Sequence, residues 1–291
     1  MRYAVTGTKG YLGSRVKSYF EKLGHSVISL TRSPSDGDSN VSIQFSLKNG
    51  ITSEPLRGID VLIHCAYDFS VLRWDEILEV NVEGSKRLFQ AARSAGIQTI
   101  VFISTMSAFP ACRSLYGRAK LLIEEEAKRL GVSIVRPGLI YDAQAGGMVG
   151  SLKTSVEKLP VVPLIGSGEQ ILYLLHSEDL CCFICKMAER QIPILAESVT
   201  LAHEQGFTFR EILKIIANVQ GKAPAFIPLP SGCVYAALKI AEMLGLRIRL
   251  RSDGVRSLVH CNPSPSFSEM RRLGFEPRLF SEQTLREETV R

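Results

Sequence analysis

The chain has little of what marks specialised protein classes. No apolar run approaches the ~20 residues that cross a bilayer, and Met1-Arg2 lead straight into an apolar strand pattern, so a cytoplasmic protein with no leader and no stable membrane insertion is expected. Neither an internal repeat nor a low-complexity tract interrupts its 291 residues. Cysteine is scarce and odd in number, seven at positions 65, 112, 181, 182, 185, 233 and 261, which argues against a disulfide framework in a chain of this size. Cys182 and Cys185 form a C-x-x-C with no second pair to complete a zinc set, and the apolar run 180–187 around them predicts small buried side chains and no metal. Charge of one sign is also thin. A net +6, spread along the chain, points to anionic small ligands and away from nucleic acid. The densest basic cluster, 247–251, follows the apolar segment 233–246. Gly245 reads as a helix C-cap and the apolar spacing as a core-facing stripe, so a docking helix is expected there in preference to one lying on a membrane.

What is present is an ordinary globular composition, 45% hydrophobic and 22% charged. The N-terminus is its most informative stretch. Tyr3-Ala4-Val5 stops at Thr6-Gly7, and Gly10 and Gly13 follow before a helical pattern begins. Strand, glycine loop and helix in that order place unpaired N–H groups at a helix N-terminus, where a pyrophosphate can approach because no side chain holds it off.

Alternation continues along the chain. Residues 12–23 read as an amphipathic helix closed by Gly24, and 26–30 as a β-branched strand ending at Thr31-Arg32-Ser33-Pro34. Strands are predicted at 61–65, 99–103 and 132–135, with helices at 74–95 and 115–130 between them. Apolar strands alternating with helices imply an α/β fold, a Rossmann-type doubly wound parallel sheet whose crevice lies at the strand C-termini. Thr31-Arg32, His64, Ser104-Thr105 and Arg136 all fall at such ends. The expected division is a dinucleotide-binding domain over 1–140 and a smaller, mainly substrate-binding C-terminal lobe over 141–291. Parts of 170–200 are expected to return to the sheet, with strands at 170–175 and 198–202 and a helix at 209–219.

Tyr116 and Lys120 stand four apart in the helix that opens near 115, on one face. At an effective dielectric of ~20, an ammonium ~4 Å from a phenol favours the phenolate by up to ~4 kcal/mol, or ~3 pKa units. Such a phenol can serve as general acid or base at a carbonyl or hydroxyl. Ser104 and Thr105 end the preceding strand, and a hydroxyl there can hold the substrate oxygen that Tyr116 protonates. Spacing alone does not choose between the two.

These motifs together resemble the extended short-chain dehydrogenase/reductases, also called the NAD-dependent epimerase/dehydratase family. The matching pieces are Thr6-Gly7-x-x-Gly10-x-x-Gly13, Asp60-Val-Leu-Ile-His64-Cys-Ala66, Asn81-Val82-Glu83-Gly84, Ser104-Thr105, Tyr116-x-x-x-Lys120, Arg136-Pro137-Gly138 and His176-Ser-Glu-Asp179-Leu180, with an echo at Leu273-Gly274-Phe275-Glu276-Pro277. The resemblance implies a pyrophosphate cradle at Gly7, Gly10 and Gly13 and a ribose wall from the backbone of His64, Cys65 and Ala66. It also implies cofactor contacts from Tyr11, Leu12, Asn81 and Pro137. Tyr116 would be the acid/base, Lys120 would bind the nicotinamide ribose, and Thr105 would be the active hydroxyl. A homodimer through sheet-flanking helices is compatible with it.

The chain departs from that family where NAD-preferring members carry an acid at the end of the second strand. Here the residue is Thr31, followed by Arg32, and Lys9 sits in the glycine loop. A guanidinium and an ammonium suit a 2′-phosphate, so NADP(H) is favoured over NAD(H). The expected activity is that of an NAD(P)-dependent oxidoreductase or epimerase at a secondary alcohol or ketone of a sugar, most readily nucleotide-linked. Gly166-Ser-Gly168-Glu-Gln170 lacks the arginine that many nucleotide-sugar members carry next. That lack, with the apolar stretch Ile171-Leu172-Tyr173-Leu174-Leu175, keeps open a reductase of a lipophilic ketone or aldehyde. A non-catalytic NADP(H) sensor is the third alternative.

Overall fold

The apolar run Tyr3-Ala4-Val5 forms the heart of the sheet, its side chains fully buried. The computed structural model describes residues 1–33, 42–142, 146–244, 246 and 251–287. Pro34, Gly245 and the basic residues Arg247 and Arg249, which figured in the sequence expectations, lie outside them. From β1 (Arg2–Thr6) the chain enters α1 (Tyr11–Lys22), then β2 (Ser26–Thr31), β3 (Ser42–Gln44) and β4 (Val61–His64). A helical stretch of α2 (Trp74–Ile77), a π-helical segment Leu78–Glu83 and α3 (Gly84–Ser94) leads to β5 (Thr99–Ile103), and α4 (Leu115–Arg129) leads to β6 (Ser133–Pro137). Next come β7 (Leu139–Tyr141), α5 (Gly147–Lys158), β8 (Val161–Ile165), β9 (Ile171–Leu172), β10 (Leu174–His176) and α6 (Ser177–Ala188). The remainder is β11 (Val199–Leu201), β12 (Phe207–Thr208), α7 (Phe209–Gln220), β13 (Ala225–Leu229), α8 (Ser231–Met243), α9 (Ser252–Val259), α10 (Ser268–Arg272) and α11 (Glu282–Glu287).

Seven strands join in the order β11-β6-β5-β4-β1-β2-β3, all parallel. The order reverses between β1 and β4. A crevice therefore opens at their C-terminal ends, because the crossovers from the two halves leave in opposite directions. Both sheet faces are covered. On one side Val16 and Phe20 of α1 pack with Phe183 and Ile184 of α6; on the other, Leu88 and Phe89 of α3 pack with Ile123 of α4. Each such aliphatic or aromatic side chain contributes ~2 kcal/mol by leaving water.

A third core gathers Tyr141, Val149, Leu164, Ile212 and Phe280 from the C-terminal half. The chain does not stay there. α6 packs back on α1, and β11 completes the sheet beside β6. Residues 171–176 instead form two short strands that pair with β12 and β7 outside the large sheet. Among the described residues, no helix is long and apolar enough to cross a membrane.

Two further expectations need correction. The helix expected over 74–95 is interrupted by a π segment, which widens the helix where Asn81 turns its amide onto Asp68. The apolar segment does form a helix, α8, but only a narrow part of its stripe faces a core. Ile240, Met243 and Leu244 are 58%, 79% and 71% exposed, and Ala241 is the buried residue of α8. Val234, Tyr235 and Leu238 supply its narrow packed face, because this helix is apolar almost all round.

Candidate active site

The glycine loop folds tightly on itself. Gly10 N–H donates to the Gly7 carbonyl at 2.8 Å. Gly7 has φ +74°, and a Cβ on it would come within 3.1 Å of the Ala66 backbone. A Cβ on Gly13 would stand 2.2 Å from the Gly7 carbonyl oxygen. Close approach at both positions lets α1 start directly behind the loop. Its N-cap is Gly10, which has no side chain, so the first N–H groups remain available to an anion. The residues thus fit a dinucleotide pyrophosphate: the cradle is one that side chains would fill.

Behind the loop runs a buried polar relay. Thr6 Oγ1 accepts the N–H groups of Cys65 and Ala66, each at 3.0 Å, and lies 2.8 Å from His64 Nδ1. His64 Nε2 lies 2.9 Å from Ser85 Oγ, which donates to the Asn81 carbonyl at 2.6 Å. With two donors already on Thr6, its own proton is assigned to Nδ1, so Nε2 carries the ring proton. Burial, helped by Lys120, pushes the His64 pKa down to about 3. His64 and Asn81 therefore shape the cleft wall from behind, while Cys65 and Ala66 face the cleft itself. Asn81 clamps the next loop, accepting the Asp68 N–H at 2.7 Å and donating to its carbonyl at 3.2 Å.

The cleft, about 870 Å³, runs from the glycine loop to Thr105, Tyr116, Lys120 and Pro137. Leu12 and Tyr11 line its rim, and the Tyr11 ring also packs under Gly146 and Gly147 of the C-terminal lobe. At the reacting end, α4 lies hard against the turn that carries Thr105: a Cβ on Gly117 would meet the Ser107 carbonyl at 2.3 Å. Ser104 and Thr105 now separate. Ser104 is buried and donates to Glu124, which also binds Arg136. Thr105 acts on Tyr116 as a hydrogen-bond partner that lowers its pKa.

The Tyr–Lys pair differs from its simplest reading. Lys120 is buried, donates to the Ile103 carbonyl at 2.8 Å and lies 4.5 Å from the Phe102 ring centre. Burial lowers its pKa to about 8, with Cys65 and Glu124 opposing. Tyr116 is raised above the ordinary phenol value by burial, the Thr105 hydrogen bond opposing. In the free protein, desolvation outweighs the ammonium, and Tyr116 holds its proton.

At the other end, Lys9 Nζ donates to the Ser33 carbonyl at 2.9 Å, and the 77% exposed Arg32 side chain stands 3.8 Å from Asp68 Oδ2. Asp68 was not among the residues singled out from sequence. Its place just beyond β4, at a strand C-terminus, was the available signal.

A second cavity of about 420 Å³ opens beside Tyr116. Its walls include Phe69, Val71, Leu72, Ile77, Leu115 and Met148, with Asp253 of α9 at one side. Tyr67 meets the Tyr116 ring edge-on at 4.9 Å, and Phe69 lies 5.4 Å from it. Sequence reading missed this aromatic and aliphatic wall, although Phe69 and Leu72 are apolar residues in a crevice loop.

A model of the NAD dependent epimerase/dehydratase family matches residues 3–195. The chain belongs to that family. A ketoreductase of Stigmatella aurantiaca, named for a farnesyl dihydroquinoline-oxide substrate, is 35% identical over 272 residues, covering 84% of this chain and 80% of that protein. The ceramide reductase of Caulobacter vibrioides is 24% identical over 279 residues, covering 92% and 87%. The solved structure of MoeE5 in complex with UDP-glucose and NAD shares the fold, with TM-score 0.75 and 19% identity over 100% of this chain and 98% of that one. The chain spans 66% of the length of the 27% identical uncharacterized protein y4nG of Sinorhizobium fredii. Family membership and relatives named as reductases indicate an NAD(P)-dependent enzyme.

Proposed function

We propose that this chain is an NADP(H)-preferring reductase of a ketone or aldehyde carried on a lipophilic molecule. The apolar cavity that opens on Tyr116 carries this reading, since an aliphatic and aromatic wall of that kind binds hydrocarbon by removing it from water. The names of the Stigmatella and Caulobacter relatives support it. Gly7, Gly10 and Gly13 would hold the cofactor pyrophosphate at the start of α1, the backbone of Cys65 and Ala66 would line its ribose, Pro137 would border the cofactor, and Lys9 and Arg32 would meet the 2′-phosphate. When bound, the cofactor supplies the hydride. Tyr116, protonated because burial raises its pKa, gives its hydroxyl proton to the carbonyl oxygen. Thr105 holds the same oxygen by hydrogen bonding, and the Lys120 ammonium offsets the charge left on Tyr116. Residues from 141 onwards, apart from α6 and β11, which return to the sheet, form mainly the substrate lobe.

A second reading, action on a nucleotide-linked sugar, rests on the fold shared with MoeE5. NADPH oxidation by the full chain with 2-decanone, set against NADP+ reduction and sugar epimerisation with UDP-glucose, separates the two. Turnover of the ketone, lost by ~10²- to 10⁴-fold in Tyr116→Phe with NADPH affinity kept within about twofold, is expected. Saturable UDP binding with turnover of the sugar alone would overturn the lipophilic reading, and unchanged turnover in Tyr116→Phe would overturn the mechanism.

A further inference from the structure

The first turn of α4, where Tyr116 sits, is capped from two directions. Ser114 Oγ accepts the N–H of Gly117 at 3.1 Å. The second cap comes from far along the chain. The N–H of Leu115 donates to Asp253 Oδ1 at 2.8 Å and the N–H of Tyr116 to Asp253 Oδ2 at 2.9 Å, across 138 and 137 positions of sequence. Both carboxylate oxygens are thus engaged by backbone groups that have no acceptor within the helix. An anion here also faces the positive end of the helix dipole.

Asp253 is itself held in place. It is the second residue of α9, and the residue before it, Ser252, donates its N–H to Glu242 Oε1 and its hydroxyl to Glu242 Oε2, each at 2.8 Å. Glu242 lies on α8. A chain of contacts therefore runs from α8 through α9 to the amide of Tyr116. Asp253 also borders the apolar cavity beside Tyr116. The helix does not depend on this carboxylate to exist: Lys120 pins it to β5 through the Ile103 carbonyl, and Gly117 packs it on the Ser107 carbonyl. What Asp253 adds is control of the first turn, against the lobe that closes the cavity.

We infer that Asp253 is a positioning residue: from the C-terminal lobe it sets the height and rotation of the first turn of α4, and so the place of the Tyr116 hydroxyl relative to the substrate carbonyl. This rests on Tyr116 being the proton donor. A positioning role makes a specific demand on energetics. Removing Asp253 must cost turnover only while Tyr116 has a hydroxyl to place, whereas a general loss of fold would cost turnover in any background.

The test uses the full chain, NADPH and 2-decanone. Asp253→Ala is expected to lower kcat ~10- to 100-fold with NADPH affinity within about twofold. Asp253→Asn, which keeps one acceptor oxygen, is expected to restore part of that loss. On the Tyr116→Phe background, Asp253→Ala should change the residual turnover by less than about twofold. Hydrogen exchange read by mass spectrometry should show the amides of 115–117 exchanging ~10-fold faster in Asp253→Ala, with the last turns of α4 unchanged. Should the alanine variant fail to fold, Asp253→Asn carries the same pair of measurements. Equal losses in both backgrounds, wild-type kcat in the variant, or unchanged exchange at 115–117 would overturn the inference. If the wild-type chain turns over no ketone, the functional reading has failed, and the exchange measurement alone decides the place of Asp253.

Discussion

Lys120 Nζ lies 5.8 Å from the centre of the Tyr116 ring, although the two residues are one turn apart on one helix. Its hydrogen bond goes instead to the Ile103 carbonyl at 2.8 Å. Burial, not the neighbouring charge, sets both pKa values in the free protein: Lys120 moves down to about 8 and Tyr116 moves up.

The buried ammonium has a measurable consequence. A lysine whose folded pKa lies below its unfolded value binds fewer protons folded than unfolded between about 8 and 10.5. Its contribution to stability therefore rises with pH across that window. The half-buried, desolvated Cys65 and Tyr116 act in the opposite direction at the alkaline end, so a difference measurement is needed. The stability of the wild type minus that of Lys120→Met, from urea unfolding, should grow between pH 8 and 9.5 by up to ~1.4 kcal/mol per pH unit. A flat difference would mean that the ammonium is solvated.

His64 gives the mirror case at acid pH. Its folded pKa of about 3 lies below the ordinary 6.5, so the unfolded chain takes up a proton in that interval that the folded chain refuses. Stability is lost as pH falls from 6.5 towards 3, by up to ~1.4 kcal/mol per pH unit. His64→Asn should be less stable than wild type at pH 7, because the Thr6 and Ser85 hydroxyls lose a well-placed partner, and the gap should narrow by pH 4.5. A gap independent of pH would place the imidazole in water.

Cofactor choice should follow the charges at the far end of the cleft. Lys9→Ala combined with Arg32→Ala is expected to weaken NADP(H) binding ~10-fold and NAD(H) binding by less than about twofold. Asp68 competes for Arg32 at 3.8 Å, so Asp68→Asn should strengthen NADP(H) binding ~3-fold. Calorimetric titration with both cofactors reads all of these. An unchanged NADP(H) preference in the double variant would remove Lys9 and Arg32 from cofactor selection.

The apolar cavity should be sensitive to one charge. Leu72 is 41% exposed, so Leu72→Asp leaves the folded cores intact while placing a carboxylate in the cavity wall. KM for 2-decanone should rise ~10-fold or more with NADPH affinity unchanged. Equal KM values for the two proteins would locate the substrate elsewhere.

Local patterns made much of this molecule legible. The run Tyr3-Ala4-Val5 with Gly7, Gly10 and Gly13 marks strand, tight loop and helix, because each needs a period or a missing Cβ that the residues display. Tyr116 and Lys120 share a helix face for the same reason. α8 was legible as a helix but not as a largely exposed one, since an all-round apolar pattern does not say which side has a neighbour.

The residues by themselves thus determined the alternation of strands and helices that implies a parallel sheet, the glycine loop and the helix that presents Tyr116, all of which follow from patterns within a few positions of each other. Only the tertiary structure decided how those parts are used. It gave Ser104 to Glu124, 20 positions away, and put Thr105 beside Tyr116. It set His64 on Thr6 across 58 positions, behind the cleft and not in it. It also brought Asp253 to the amide of Tyr116 across 137. Such contacts depend on how finished elements pack, and an isolated carboxylate, hydroxyl or imidazole carries no local pattern that names its distant partner.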